Sequence, residues 1–189
     1  MEIREELSST FPDLYAMPLE IHGLSIMKQT PALEHFKKEV LARVRESINS
    51  LEEIKDKPVY RAYRDFFWRV GIDPTKTRPA GEALVRKVIG GRDLPTINTL
   101  VDAYNLASLE TGIAIAAFDL SNFGWEDLSM RKGIPEETFR GIGMSVPSTL
   151  AGMEVVIENK RSGSLVAIYP YRDSEESKVT TETKDVLLV

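Results

Sequence analysis

The sequence predicts an α+β fold, a helical layer packed on a mainly antiparallel β-sheet, and three observations lead there. Segments with apolar residues at helical spacing fill the first 112 residues. After Gly112 the texture changes to short apolar runs of strand length, separated by Gly, Pro, Ser and Asn. No repeat, low-complexity tract or linker breaks the chain, so its 189 residues are expected to form a single domain spanning residues 1–189. Its helical part covers about 1–112 and its strand-rich part about 113–189.

Taken in order, "LEIHGLSIM" (Leu19–Met27) alternates well enough for a first strand. In "TPALEHFKKEVLARVRESI" Thr30 is placed to cap a helix and Pro31 to open it, with Leu33, Phe36, Val40, Val44 and Ile48 as its apolar face. "PVYRAYRDFFWRVGI" gives a second helix, with Tyr60, Tyr63, Phe67 and Val70 on one side and Gly71 as its stop. A proline-punctuated loop, "DPTKTRPAG", leads to a third helix, "EALVRKVIGG". The fourth helix is "LPTINTLVDAYNLASLETG" (Leu94–Gly112). "IAIAAFDL" (Ile113–Leu120) reads as a strand and "SNFGWED" as a loop. "LSMRKG", "MEVVIEN", "SLVAIYPY" and "DVLLV" are the remaining strands.

Composition narrows the function. No apolar run reaches the ~18–20 residues that span a bilayer, and the acidic start lacks the features of a signal peptide. A soluble cytoplasmic protein without a membrane partner is expected. With no cysteine there is no thiol nucleophile or thiolate metal site. His22 and His35 lie in different elements without carboxylates at ligand spacing, which argues against a zinc site or a Ser-His-Asp triad. There is no P-loop, and "GIGMS" is too short for a dinucleotide fingerprint. No metal and no organic cofactor is implied.

The net charge of −5 argues against indiscriminate nucleic-acid binding, but the charge is uneven. Between Lys57 and Arg92 cations dominate, whereas no Lys or Arg stands between Arg92 and Arg131. Arg61, Arg64, Arg78 and Arg86 are candidate RNA phosphate contacts in this basic stretch; the other reading is a solvated helix surface. In the fourth helix Asn98, Asp102 and Asn105, at i, i+4 and i+7, share one stripe. That stripe is either a hydrated face with caps or a polar row in a pocket, and burial there requires organised partners. Arg172, Asp173, Ser174 and Glu175 form a polar cluster after "SLVAIYPY", either an exposed turn or a site. As a site, Arg172 clamps a carboxylate or phosphate, while Asp173 or Glu175 holds an ammonium group. Asp119 ends its strand, where it orients a ligand or caps the next turn.

"LPTINTLVDAYNLASLETGIAIAAFDL" resembles the signature of the B3/B4 domain in the β subunit of bacterial phenylalanyl-tRNA synthetase. Pro95, Asn98, Val101, Asp102, Asn105, Glu110, Gly112, Ala117, Phe118 and Asp119 fall in its register without a gap. "LSMRKGIPEETFRGIG" resembles the family's arginine-bearing strand, matched by Arg131. Ser177 through Leu188 resemble the closing motif S-x-V-x-x-E-T-x-x-[VI]-L-L. The three blocks run in order from roughly Arg78 to Val189, and the N-terminal helices resemble free-standing relatives of this domain.

The resemblance implies an α+β B3/B4-like fold and a tRNA- or aminoacyl-tRNA-binding module that edits by hydrolysing a wrong or non-standard amino acid. Asn105 matches the pocket asparagine of the family. The pocket's acidic residue falls at or near Glu175, although "YRDS" replaces the family's Gly-Gly turn. Asn105 and Glu175 are therefore the candidate catalytic residues, with Asn98, Asp102, Asp119, Arg172, Asp173 and Ser174 as substrate-binding residues. The family's histidine position holds Ala116, and loss of one positioned group of that kind usually lowers rates about 10²–10³-fold. The alternative is a non-catalytic RNA-binding module or a pocket for a small amino-acid-like ligand.

Overall fold

The computed structural model describes the backbone of residues 1–189 and every side chain except that of Asn122. The chain forms two compact units, one holding the strands with the short helix at residues 5–10 and the other the remaining α-helices, as suits an α+β fold. One is Ile26–Ile115; the other joins Met1–Ser25 to Ala116–Val189. The first 25 residues thus belong with the strands, not with the helical part into which the sequence reading placed them.

In the helical unit, Thr30 Oγ1 accepts a hydrogen bond from Leu33 N and Pro31 opens helix α2 (Pro31–Ser47). A single turn, α3 (Leu51–Ile54), follows; it is too short to leave a periodic signal. Helices α4 (Pro58–Arg69), α5 (Ala80–Ile89) and α6 (Thr99–Thr111) complete the unit. Val40, Leu41, Val44 and Ile48 of α2 pack with Val85 and Val88 of α5 and Leu106 and Leu109 of α6 in one apolar core. Phe36, expected on the apolar face, is exposed, with the Arg43 guanidinium 5.7 Å from its ring centroid.

The last helix starts at Thr99 rather than near Leu94 because Asn98 is extended and acts as its N-cap. It ends at Gly112, whose φ of 76° is left-handed. A Cβ there would stand 2.7 Å from Val59 Cγ1, and a Cβ on Gly81 would stand 2.6 Å from the Gly112 carbonyl oxygen. Both positions therefore let α5, α6 and the start of α4 approach closely.

In the other unit, β1 (Glu2–Ile3), α1 (Glu5–Thr10) and β2 (Leu19–Ile21) precede the strands β3 (Ala117–Asp119), β4 (Leu128–Lys132), β5 (Thr138–Phe139), β6 (Ser148–Thr149), β7 (Val155–Asn159), β8 (Leu165–Tyr169), β9 (Arg172–Asp173) and β10 (Val186–Leu188). A five-stranded sheet runs β1-β4-β7-β8-β9, antiparallel except for the parallel β1–β4 pair. A three-stranded antiparallel sheet runs β2-β10-β3. These pairings bind the N-terminal segment to the strand unit. The strand expected over Leu19–Met27 stops at Ile21 because Gly23 turns the chain at φ 67°, and Leu24 N then donates to Lys184 O.

Register sorts the large sheet into two faces. One cross-strand row is Ile3, Met130, Ile157, Ala167 and Asp173. The neighbouring row is Arg131, Val156, Ile168 and Arg172. Val156 and Ile168 pack there with Phe139, Leu150 and Leu165. Asp173 therefore terminates an apolar row.

Candidate functional site

Two members of the helical stripe are occupied within their own unit. Asn98 is buried, and its Oδ1 accepts from Val101 N at 2.9 Å. Asp102, 3% exposed, accepts from Lys37 Nζ at 2.8 Å through Oδ2 and from Ile97 N at 3.0 Å through Oδ1. Lys37 also donates to Glu34 Oε1 and Thr96 Oγ1. Burial opposes the charge of Lys37, but the hydrogen bonds to Asp102 and Glu34 outweigh it and raise its pKa above the ordinary 10.5. The physical work of Asn98 and Asp102 is capping and ion pairing. Asn105 differs: it is half-buried, and its side-chain amide has no hydrogen-bond partner among the described residues.

The four basic candidates separate in the same way. Glu82 is fully buried and holds both Arg64, at 3.0 and 3.1 Å, and Arg86, at 2.7 Å. These two guanidinium groups are committed to a buried carboxylate. Arg61 and Arg78 are exposed, and their guanidinium groups have no ion pair among the described residues.

In the strand unit, Arg172 to Glu175 follow one another from β9 into a 3-10 turn, and the loop at 140–143 lies along them. Gly141 bridges to Ser174, Ile142 N donates to Asp173 O, Glu175 N donates to Arg140 O, and Gly143 N donates to Glu175 Oε2. Ser174 is buried, and its Oγ caps the turn by accepting from Glu176 N. Glu175 also accepts from Lys178 Nζ at 2.9 Å, and this contact, with the Gly143 amide, holds its carboxyl below the ordinary range. Arg172 stacks on Tyr171, 5.3 Å from the ring centroid.

Asp173 is the exception in this cluster. Its carboxyl has no hydrogen-bond donor or cation among the described residues, and burial at the end of the apolar row pushes its pKa up to about 7. Asp119, by contrast, is engaged: its Oδ1 accepts from Ser121 N at 2.8 Å and from Ser121 Oγ, and its Oδ2 accepts from Thr183 Oγ1. Burial opposes its charge, yet the bonds from Ser121 and Thr183 lower its pKa. It caps the turn after β3 and ties that turn to the C-terminal segment.

Sequence reasoning missed the buried charges. Arg131, matched only as a family position, is buried between two carboxylates. Its Nε donates to Glu158 Oε2, and its terminal nitrogens donate to both oxygens of Glu137. Glu158 also accepts from Arg4 and Ser129. Lys37 left a readable signal, since it stands four residues after Leu33 and three before Val40 on the apolar side of α2. Glu82 left none beyond Arg86 four residues later, since Arg64 comes from α4.

At family level, the model described as the B3/4 domain matches residues 62–189, extending the resemblance upstream into α4. Among solved structures the chain is similar to an N-terminal fragment of the phenylalanyl-tRNA synthetase β-subunit from Pyrococcus horikoshii. The identity is 14%, the TM-score 0.42, and the match covers 91% of this chain and 67% of the other. No curated protein matches significantly. No helix among the described residues is long and apolar enough to cross a membrane. With the family match spanning well over half of its residues, this chain belongs to the B3/4 domain family.

Proposed function

We propose that this B3/4 domain recognises aminoacyl-tRNA and removes a wrong or non-standard amino acid by hydrolysing its ester. The observation that carries the reading is the free amide of Asn105, at the family's pocket asparagine position, on a stripe whose other two members are internally bonded. A free amide both donates and accepts, which suits it to orient a water or the carbonyl it attacks. In the reaction a water oxygen bonds to the ester carbonyl carbon. The ester C–O bond then breaks, giving a free amino acid and a terminal ribose hydroxyl.

For the acidic role Asp173 is the better candidate than Glu175, because Glu175 is held by Lys178 and Gly143 whereas Asp173 is free. An unpaired carboxylate suits the α-ammonium of an aminoacyl group. Arg61 and Arg78 are the phosphate contacts that this reading retains, since Arg64 and Arg86 are bound to Glu82. Ala116 at the histidine position favours a second reading, in which the same groups bind an amino-acid-like ligand or RNA without turnover.

The test mixes the purified protein with tRNAs charged separately with tyrosine, its isomers and other standard amino acids. Ester loss faster than in buffer, abolished by Asn105→Ala and weakened by Asp173→Asn, is the expected result. No loss across the panel at micromolar protein overturns the hydrolytic reading, and retained binding in that case selects the second.

A further inference from the structure

A groove of about 430 Å³ opens on the strand unit beside the β7–β8 hairpin and the 3-10 turn after β9. It shares Ser164, Leu165, Ser174 and Glu176 with a neighbouring groove of about 370 Å³. Leu165, Val166 and Phe123 contribute apolar and aromatic lining, and four serines much of the remainder. Its volume lies within the range that holds small ligands.

Asn159 distinguishes this groove from a chance run of serines. It is 6% exposed, and its Oδ1 is used twice, accepting from Arg161 N at 2.9 Å and Ser162 N at 3.3 Å. Its Nδ2 has no partner among the described residues. No occluded side-chain nitrogen or oxygen among them lacks a partner, so this amide nitrogen keeps some accessibility, and Asn159 is one of the residues that line the groove. A donor held in orientation by the two bonds to its own amide oxygen therefore belongs to a residue of the groove lining.

Glu176 supplies the complement. It is exposed on the rim of both grooves and makes no ion pair among the described residues, which leaves both carboxylate oxygens as free acceptors. Among the described residues it is also the only charged side chain lining the larger groove, so that groove repels phosphate and carboxylate. Two adjacent hydroxyls fit a carboxylate's two acceptor oxygens, while a ring oxygen or hydroxyl fits the Asn159 donor. The Ser162 and Ser164 hydroxyls, bonded to each other at 2.8 Å, keep further donor and acceptor capacity. An aromatic ring among the lining residues, that of Phe123, suits a planar base.

We propose that this groove binds a ribose-type cis-diol, with the attached base against Phe123. The diol is supplied either by a free nucleoside or by an RNA end with unmodified 2′ and 3′ hydroxyls. The site is independent of ester hydrolysis and stands or falls without it.

The test is binding to the full chain, followed through the Asn159 side-chain amide resonances and by calorimetry. Its probes are adenosine, 2′,3′-dideoxyadenosine, and short RNAs ending in a free diol or in a 3′-phosphate. Adenosine is expected to bind saturably and to shift the Asn159 amide, with affinity at least about tenfold lower for the dideoxy compound and for E176Q. Glu176 is exposed, so E176Q folds as the parent does. Asn159→Asp keeps the oxygen that the hairpin turn uses and removes the donor; it is also expected to weaken binding. Competition by the diol-ended RNA but not by the 3′-phosphate form assigns the diol to an RNA end, and binding of adenosine alone assigns it to a free nucleoside. Equal binding of the dideoxy compound, unchanged affinity in E176Q, or no saturable binding of any probe at millimolar concentration overturns the proposal.

Discussion

Replacing Asp102 by alanine is expected to destabilise the protein by about 3–4 kcal/mol, because the change removes two hydrogen bonds to a charged group and leaves Lys37 short of a counter-ion. The bonds lost are Lys37 Nζ to Oδ2 at 2.8 Å and Ile97 N to Oδ1 at 3.0 Å. Lys37 keeps Glu34 Oε1 at 3.0 Å and Thr96 Oγ1 at 3.1 Å, which holds the loss near the lower end of the range for a broken buried pair. Lys37→Met alone strands a carboxylate whose side chain is 1% exposed, and a loss of similar size, about 3 kcal/mol, is expected. In the double variant Lys37→Met/Asp102→Leu only the Ile97 amide is orphaned, so the total is expected to fall to about 1–2 kcal/mol. The two single losses should therefore exceed the double by at least about 3 kcal/mol in urea unfolding at pH 7. Alkali gives a second readout. The folded pKa of Lys37 lies above its unfolded value, so this stabilisation is complete below pH 10.5 and is lost as pH rises through the folded value. The wild type should weaken there more than Lys37→Met does. Additive single losses, each within about 0.5 kcal/mol, together with normal stability and lost ligand binding in Asp102→Ala, would refute the structural assignment and return Asp102 to a pocket.

Four further substitutions test the same physics. Asp173→Asn is expected to stabilise the protein above pH 7: a carboxyl raised from 3.8 to about 7 loses stability as pH climbs between those values, by on the order of 4 kcal/mol as a ceiling. Thermal melts at pH 4 and pH 8 check this, and an equal effect at both would contradict it. Arg131→Met leaves Glu137 and Glu158 without their shared cation and is expected to cost on the order of 3–5 kcal/mol, read by chemical denaturation. Arg131 also holds the Glu137 carboxyl below its ordinary 4.5; that share of stability is complete above pH 4.5 and is lost as acid protonates Glu137, so the wild type's acid transition should flatten in the variant. Gly112→Ala combines a left-handed φ of 76° with a Cβ 2.7 Å from Val59, and a loss of about 1–3 kcal/mol in unfolding free energy is expected. Glu82→Gln uncouples Arg64 and Arg86 and is expected to destabilise by roughly 2–4 kcal/mol while strengthening polyanion binding, measured by heparin retention.

What could be read before the structure was whatever repeats or punctuates. Thr30 and Pro31 announced α2, Gly112 announced the end of α6, and the apolar runs announced β4, β7 and β8. β1 and β9, of two residues each, and α1, a helix of six residues, carry too few periods to show. The N-terminal segment was assigned to the wrong unit because its pairing partners, β4 and β10, lie more than a hundred residues away, and pairing at that distance leaves no mark in local composition. The same limit governs the candidate site. A stripe of Asn98, Asp102 and Asn105 is legible as spacing, but Lys37 is what decides the role of Asp102, and it comes from another helix.

The comparison of Asp173 with Glu175 shows how unused bonding capacity guides a functional reading more than residue type does. Both are carboxylates in one short segment, and family register alone pointed near Glu175. Glu175 has a lysine and a backbone amide; Asp173 stands at the end of Ile3, Met130, Ile157 and Ala167 with neither. A partly buried carboxyl beside an apolar row and without a donor weakens the folded state at neutral pH, whereas every occluded side-chain nitrogen and oxygen among the described residues has a partner. Such a group is what a ligand bearing an ammonium would satisfy, and binding of such a ligand would offset that loss of stability. Asp173→Asn separates this from an incidental burial. If the carboxyl serves a ligand, the variant gains stability and loses affinity together. If it is incidental, the variant gains stability alone, and the acidic role returns to Glu175 or to no residue of this segment.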